Sequence, residues 1–152
     1  MALCKIRLAL VAAHDCPRTP IRNHDPACER AWIAERGGTR LGSIFCVRLD
    51  AETAKLRLFL TVPEARGTGL GRRLLRECMG YAQATGYRQM RLWTHESHKA
   101  ACALYRSEGW EPLEASDVVS FGVPLVEQAW KIELESSCNR ASGKLNRPCV
   151  PP

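Results

Sequence analysis

The feature that most constrains this chain is a change of period at a glycine-rich turn. From Lys55 to Val62 the residues alternate, with Leu56, Leu58, Leu60 and Val62 against Lys55, Arg57, Phe59 and Thr61, the period of a strand buried on one face. From Gly69 to Thr85 the period becomes helical, with Leu70, Leu74, Leu75, Cys78 and Ala82 on one side and Arg72, Arg73, Arg76 and Gln83 on the other. Between the two lie Pro63, which cannot donate to a sheet ladder, and the turn Arg66-Gly67-Thr68-Gly69-Leu70-Gly71. Glycines at alternate positions let a backbone approach a ligand without Cβ interference. A helix starting there points unpaired N–H groups outward, an arrangement that suits a phosphate.

The rest of the chain surrounds this strand, turn and helix with further strands. Leu3 to Val11 alternates loosely as a first strand, and Pro17, Pro20 and Pro26 argue against a long helix before Trp32. Ala31 to Glu35 reads as a strand and Gly37-Gly38 as a hairpin turn. The next strand has Leu41, Ser43, Phe45, Val47 and Leu49 on one face, and Arg40, Ile44, Cys46 and Arg48 on the other. Gly86 suits a helix C-cap; Gln89 to Thr94 is a short strand; Ser97 is the expected N-cap of a helix from Lys99 to Ser107 closed by Gly109. Glu111 to Leu113 and Val118 to Phe121 are strand-like, and Val126 to Leu134 alternates clearly. The expectation is one domain over residues 1–135 and a loose tail over 136–152, built as a mixed α/β sheet with helices on it. The glycine turn then stands at the carboxyl end of a strand, where ligands bind in open sheets.

Charge and cysteine usage narrow the partners. The chain has 152 residues, a net charge of +6, 45% hydrophobic and 25% charged residues, within the ordinary globular range. Residues 66–91 contain six Arg and one Glu, which suits either nucleic acid or a polyphosphate cofactor. The start lacks a small-residue cleavage site and no apolar run spans a membrane, so the expected location is the cytoplasm. Eight cysteines without a C-x-x-C pair then read as reduced thiols on apolar faces. His14, Cys16, His24 and Cys28 fit no zinc-finger spacing, and no metal is expected.

Spacing sorts the phosphate motifs. A Walker A loop requires Lys-Ser/Thr after its last glycine, where this chain has Arg72-Arg73; a dinucleotide loop requires G-x-G-x-x-G, where Gly67, Gly69 and Gly71 form G-x-G-x-G. The pattern Gln/Arg-x-x-Gly-x-Gly/Ala is met by Arg66, Gly69 and Gly71, and here the chain resembles the GNAT superfamily of acetyl-CoA-dependent N-acetyltransferases. Ala101 to Trp110, with Leu104, Tyr105 and Gly109, is similar to the A-x-x-L-Y-x-x-x-G-F segment of that family, with Trp for Phe. Asp25-Pro26-Ala27, Trp32 to Glu35, Ser120 to Gly122 and Gln128 to Trp130 look like the acetyltransferase half of bacterial MarR-type regulator fusions.

The resemblance implies a mixed, mostly antiparallel sheet, with a V-shaped splay between two parallel strands, helices on both faces and a shortened N-terminal helical part. It implies that backbone amides of Gly67, Thr68, Gly69, Leu70, Gly71 and Arg72, next to Arg66, hold the cofactor pyrophosphate. The strand end at Leu60, Thr61 and Val62 would pair with the pantetheine arm and hold the oxyanion. Tyr105, one turn after Ala101, would protonate the departing thiolate. His98 stands where the family usually has a cofactor-contacting asparagine. For the general base Glu64, His95, Glu96 and a water chain all remain open.

The implied function is transfer of an acetyl group from acetyl-CoA to a small or peptide amine by direct attack. The alternative is a non-catalytic acetyl-CoA-binding sensor module, and a homodimer is compatible with either. The plain structural readings are a turn without ligand, Tyr105 as a core aromatic, and Arg72, Arg73 and Arg76 as a solvated face.

Overall fold

Gly37 and Gly38 have φ values of +56° and +81°, the left-handed pair that lets a two-residue hairpin follow the natural twist of its strands. They join β2 (Arg30–Arg36) to β3 (Thr39–Arg48) in a computed structural model that describes residues 7–11, 25–120 and 122–134. The remaining strands are β1 (Arg7–Val11), β4 (Thr53–Thr61), β5 (Gln89–His95), β6 (Glu111–Ser120) and β7 (Val123–Glu133). Helix α1 spans Leu70–Thr85 and α2 spans Lys99–Ser107. The expected start of β1 at Leu3, the proline-broken stretch before His24, Phe121 and the tail beyond Glu135 lie outside the described residues.

The seven strands form one sheet in the order β1-β2-β3-β4-β5-β7-β6. All neighbours are antiparallel except β4 and β5, which are parallel and pair only at Thr53–Gln89, Ala54–Met90 and Lys55–Arg91. Beyond Lys55 the two strands part, leaving one edge of β4 without a ladder partner. The expected splay is therefore present. The parallel direction of the two strands follows from the crossover through α1 that joins them, since a parallel pair cannot be closed by a hairpin.

Both helices pack on the same sheet face. Trp32 meets Tyr81 of α1 edge-on at 5.5 Å, and Tyr105 of α2 lies 6.0 Å from the fully buried Trp130 of β7. Leu70, Leu74, Leu75, Cys78 and Ala82 are the buried residues of α1, as its period predicted. No helix among the described residues lies on the second face, and the expectations of helices on both faces and of a shortened N-terminal helical part fall outside those residues.

Three expectations need correction. First, β4 does not alternate throughout. Ser43 stands opposite Leu60 but Phe45 opposite Arg57, so β4 carries one extra residue there. Leu58 takes φ +48° and its carbonyl accepts a 2.9 Å hydrogen bond from Ser43 Oγ. The bulge reverses the faces: Leu56 is buried, but Leu58 and Leu60 are 51% and 64% exposed, while Phe59 turns to the core. Second, β6 is a single strand and not two pieces. It is an exposed edge held by backbone pairing to β7, so it needs no apolar alternation. Third, His98 and not Ser97 is the N-cap of α2.

Cys46, Cys78 and Cys102 are free thiols, as expected, whereas Cys28 is disulfide-bonded. No helix among the described residues is long and apolar enough to cross a membrane, and no group of three His, Cys, Asp or Glu among them could hold a metal.

Gly42 marks the tightest approach in the sheet. A Cβ there would lie 2.7 Å from the carbonyl oxygen of Leu60 and 3.2 Å from Leu74 Cδ1. Gly42→Ala is therefore expected to cost about 1–3 kcal/mol, because backbone must shift to admit the methyl group. Urea unfolding checks this; an unchanged midpoint would show that β4 yields freely beside the bulge.

Candidate functional site

The turn after β4 begins with Pro63, which ends the ladder and starts a single 3-10 turn, Pro63–Ala65. Thr68 Oγ1 donates to the carbonyl of Ala65 at 2.7 Å and pins the turn. Gly67 and Gly69 take φ +74° and +82°, a region disfavoured for residues with a Cβ. A Cβ at either position would meet no atom within 4 Å, so open space lies in front of both. Gly71 instead faces inward, where a Cβ would be 3.4 Å from Phe59 and 3.5 Å from Leu104.

The first backbone bonds around this turn run from Arg66 N–H to Pro63 and from Arg73 N–H to Gly69. Among the described residues no well-aligned hydrogen bond takes up the N–H groups of Gly67 through Arg72. Such a run at a helix N-terminus carries partial positive charge and attracts an anion.

The arginines divide by role. Arg72 Nε lies 2.8 Å and Arg76 Nε 2.6 Å from Glu108, the residue after α2, and Arg72 also donates to Ser107 Oγ at 3.2 Å. These half-exposed side chains are thus paired rather than a wholly free face, and they tie α1 to the end of α2. Arg66 and Arg73 are exposed beside the turn. Hydrogen bonds and charge from Arg76, with further attraction from Arg72, lower the Glu108 pKa below its usual 4.5. A lowered carboxylate pKa supplies stability present above the unfolded value and lost as pH falls through the folded one. Glu108→Gln should thus melt a few degrees below the parent at pH 7, with the gap closing below about pH 4. Melting curves at pH 7 and pH 3 check it, and an equal gap at both would rule out the ionised clamp.

Tyr105 sits under the splay, 4% exposed, among Phe59, Trp110 and Trp130 with ring centroids 6.2, 5.9 and 6.0 Å away. Burial among these rings pushes its pKa well above the ordinary 10.0. The phenol is therefore a proton donor at neutral pH, and no group among the described residues hydrogen-bonds it. Ala101 lies half-buried one turn earlier on α2.

The strand end is more specific than expected. Val62 N–H is committed to the Leu41 carbonyl at 2.9 Å, so it cannot hold an oxyanion or a ligand. Because N–H groups alternate in direction along a strand, that of Thr61 points away from β3, across the gap towards β5.

The base candidates fall in different places. Glu64 is exposed on the 3-10 turn and forms no ion pair with another of the described residues. His95 ends β5 opposite Glu127 of β7, and its Nδ1 is buried without a partner. His98 stacks edge-on to His95 at 5.6 Å, and its Nδ1 lies 3.3 Å from Thr94 Oγ1. Glu96 is exposed, its N–H donating to Val126. Sequence reasoning overlooked Phe59, Trp130 and Glu108. Glu108 lay in plain view beside Gly109, but Phe59 was hidden by the bulge.

Residues 6–110 match the model of the acetyltransferase (GNAT) family. The chain is 30% identical over 102 residues to N-acetyltransferase family 8 member 3 of Rattus norvegicus, a match covering 64% of this chain and 43% of that protein. It is 35% identical over 85 residues to mycothiol acetyltransferase of Thermobispora bispora, covering 52% and 29%. The chain thus spans less than half the length of these two relatives. Its fold is similar to that of a phosphinothricin acetyltransferase from Sinorhizobium meliloti solved with acetyl-CoA, with TM-score 0.67, 22% identity, and 82% and 71% of the two chains covered.

Proposed function

Because the chain belongs to the acetyltransferase (GNAT) family, over a matched segment that contains both the glycine turn and Tyr105, we propose that it transfers an acetyl group from acetyl-CoA to a primary amine within a ternary complex. The observation that carries this reading is the run of amides from Gly67 to Arg72 without a well-aligned partner among the described residues, with open space in front of Gly67 and Gly69, beside the unpaired edge of β4. The residues fit the cofactor: amides and Arg66 for the pyrophosphate, and Thr61 N–H on the free strand edge for the pantetheine arm. When bound, acetyl-CoA supplies an acetyl thioester.

The roles of this chain's residues follow from their surroundings. Thr61 N–H, in place of Val62, is the strand amide able to hold a developing oxyanion in the gap. Tyr105 gives its phenolic proton to the departing thiolate as the new C–N bond forms and the C–S bond breaks. The amine must lose a proton, and His95, buried at Nδ1 and next to Glu127 in register, is better placed across the splay than the exposed Glu64.

A second reading is a cofactor-sensing module akin to the acetyltransferase half of a MarR-type fusion, which would bind acetyl-CoA at the same turn without transferring the acetyl group. Thiol release from acetyl-CoA across an amine panel separates the two. Release that depends on amine and on Tyr105 supports the enzyme; tight binding of acetyl-CoA with no release from any amine supports the module.

A further inference from the structure

Resting on this acyl-transfer reading, we propose that the sheet face opposite the helices binds the anionic end of the acceptor, so that the substrate is an amine that also carries a carboxylate. The observation is a row of three cations on adjacent strands. Lys55 of β4 stands opposite Arg91 of β5, and Arg91 stands opposite Lys131 of β7. Met90 and Leu92 are buried, Leu92 opposite the Trp130 that meets α2, so Arg91, Trp93 and His95 turn to the other face. Lys55 is on that face too, its ammonium 4.2 Å above the Trp93 ring.

Like charges directly opposite in a sheet are destabilising, and this row is poorly compensated. Lys131 has Glu133 at 3.2 Å and Glu111 of β6 opposite it in register, but no carboxylate among the described residues forms an ion pair with Lys55 or Arg91. Asp50 senses Arg91 only weakly, its carboxyl being held low chiefly by the Glu52 N–H. Arg91 Nε is buried with no hydrogen-bond partner. A planar guanidinium with donors to spare is a carboxylate receptor.

Charge is also sorted along the strands. The cations stand at the closed end of the splay, and Glu127, opposite His95, stands at its open end. At about 3.3 Å per residue the Trp93 and His95 rows lie roughly 7 and 13 Å from the Arg91 row. A carboxylate seated on the cations leaves an amine about five methylenes away near the Trp93 row, where β4 and β5 have already parted. The row is only about 10 Å wide across three strands, and the neighbouring Glu114 and Glu127 would repel a polyanion, which argues against a nucleic-acid backbone.

The test pairs ω-amino acids of increasing length, such as 6-aminohexanoate, with their primary amides as acceptors in the thiol-release assay. The acid is expected to exceed its amide at least tenfold in kcat/KM at the best length. Arg91→Gln should remove that preference and leave the amide within about twofold, and Lys131→Met serves as a second variant if Arg91→Gln does not fold. Hexanoate, which has no amine, should change the fluorescence of the protein without acetyl-CoA, and Trp93→Phe should abolish the change. Equal rates for acid and amide, or an equal loss of both in the variants, would overturn the inference. If no amine is turned over, the enzymatic reading fails and the hexanoate titration alone decides: a saturable change lost in Arg91→Gln upholds the anion site, and no change refutes it.

Discussion

Tyr105→Phe is expected to lower kcat by about 10²-fold or more while leaving acetyl-CoA affinity within a few-fold of the parent, since the ring stays packed and only the proton is removed. The phenol is buried among Phe59, Trp110 and Trp130 and has no hydrogen-bond partner among the described residues. A departing thiolate beside it would give the phenol an acceptor that no described residue supplies. Burial raises the pKa above 10.0, so the proton stays on through the neutral and mildly alkaline range. Tyr105 should therefore impose no falling limb on kcat below about pH 10, and the rising limb, set by the amine and its base, should be the same in the variant. Stopped and continuous thiol assays from pH 6 to 10 measure both. Full activity in Tyr105→Phe would reduce Tyr105 to a core aromatic.

Gly69→Glu should weaken acetyl-CoA binding at least about 10²-fold, because it sets a side chain and a negative charge against the amides that would hold the pyrophosphate. The position has φ +82°, so any side chain also adds backbone strain. Gly69→Ala separates the two effects: it carries the strain without the charge, and nothing within 4 Å obstructs its methyl group. Calorimetry on both folded variants is expected to show a small loss for Ala and a large one for Glu. Similar modest losses in both would place the diphosphate elsewhere.

Much of this site is written in short-range chemistry. The glycine turn, the helix behind it and its Gly86 cap depend on backbone preferences and an apolar stripe confined to a few neighbouring residues, and α2 has the bounds its spacing predicts. The two motifs likewise place Tyr105 and the amides of Gly67 to Arg72 without any knowledge of pairing. Strands were legible where residues alternate, as in β3 and β7, whereas β6, exposed and without alternation, was legible only in two pieces.

Tertiary structure decided whatever depends on partners distant in the chain. The bulge at Leu58 arises between β3 and β4, and it exchanges Phe59 for Leu58 and Leu60 on the core face; no period within β4 announces it. Glu108 captured Arg72 and Arg76 from a helix thirty-odd residues earlier, which tied α1 to the end of α2. The Val62 amide was lost to Leu41, and the exposed β6 became one strand through β7 alone. The row of Lys55, Arg91 and Lys131 exists only because three strands align. Local propensity and motif spacing thus specified the elements and the glycine turn that opens α1. Register, which brings together residues with no sequence proximity, decided which side chains face the cleft and what charge the acceptor would meet.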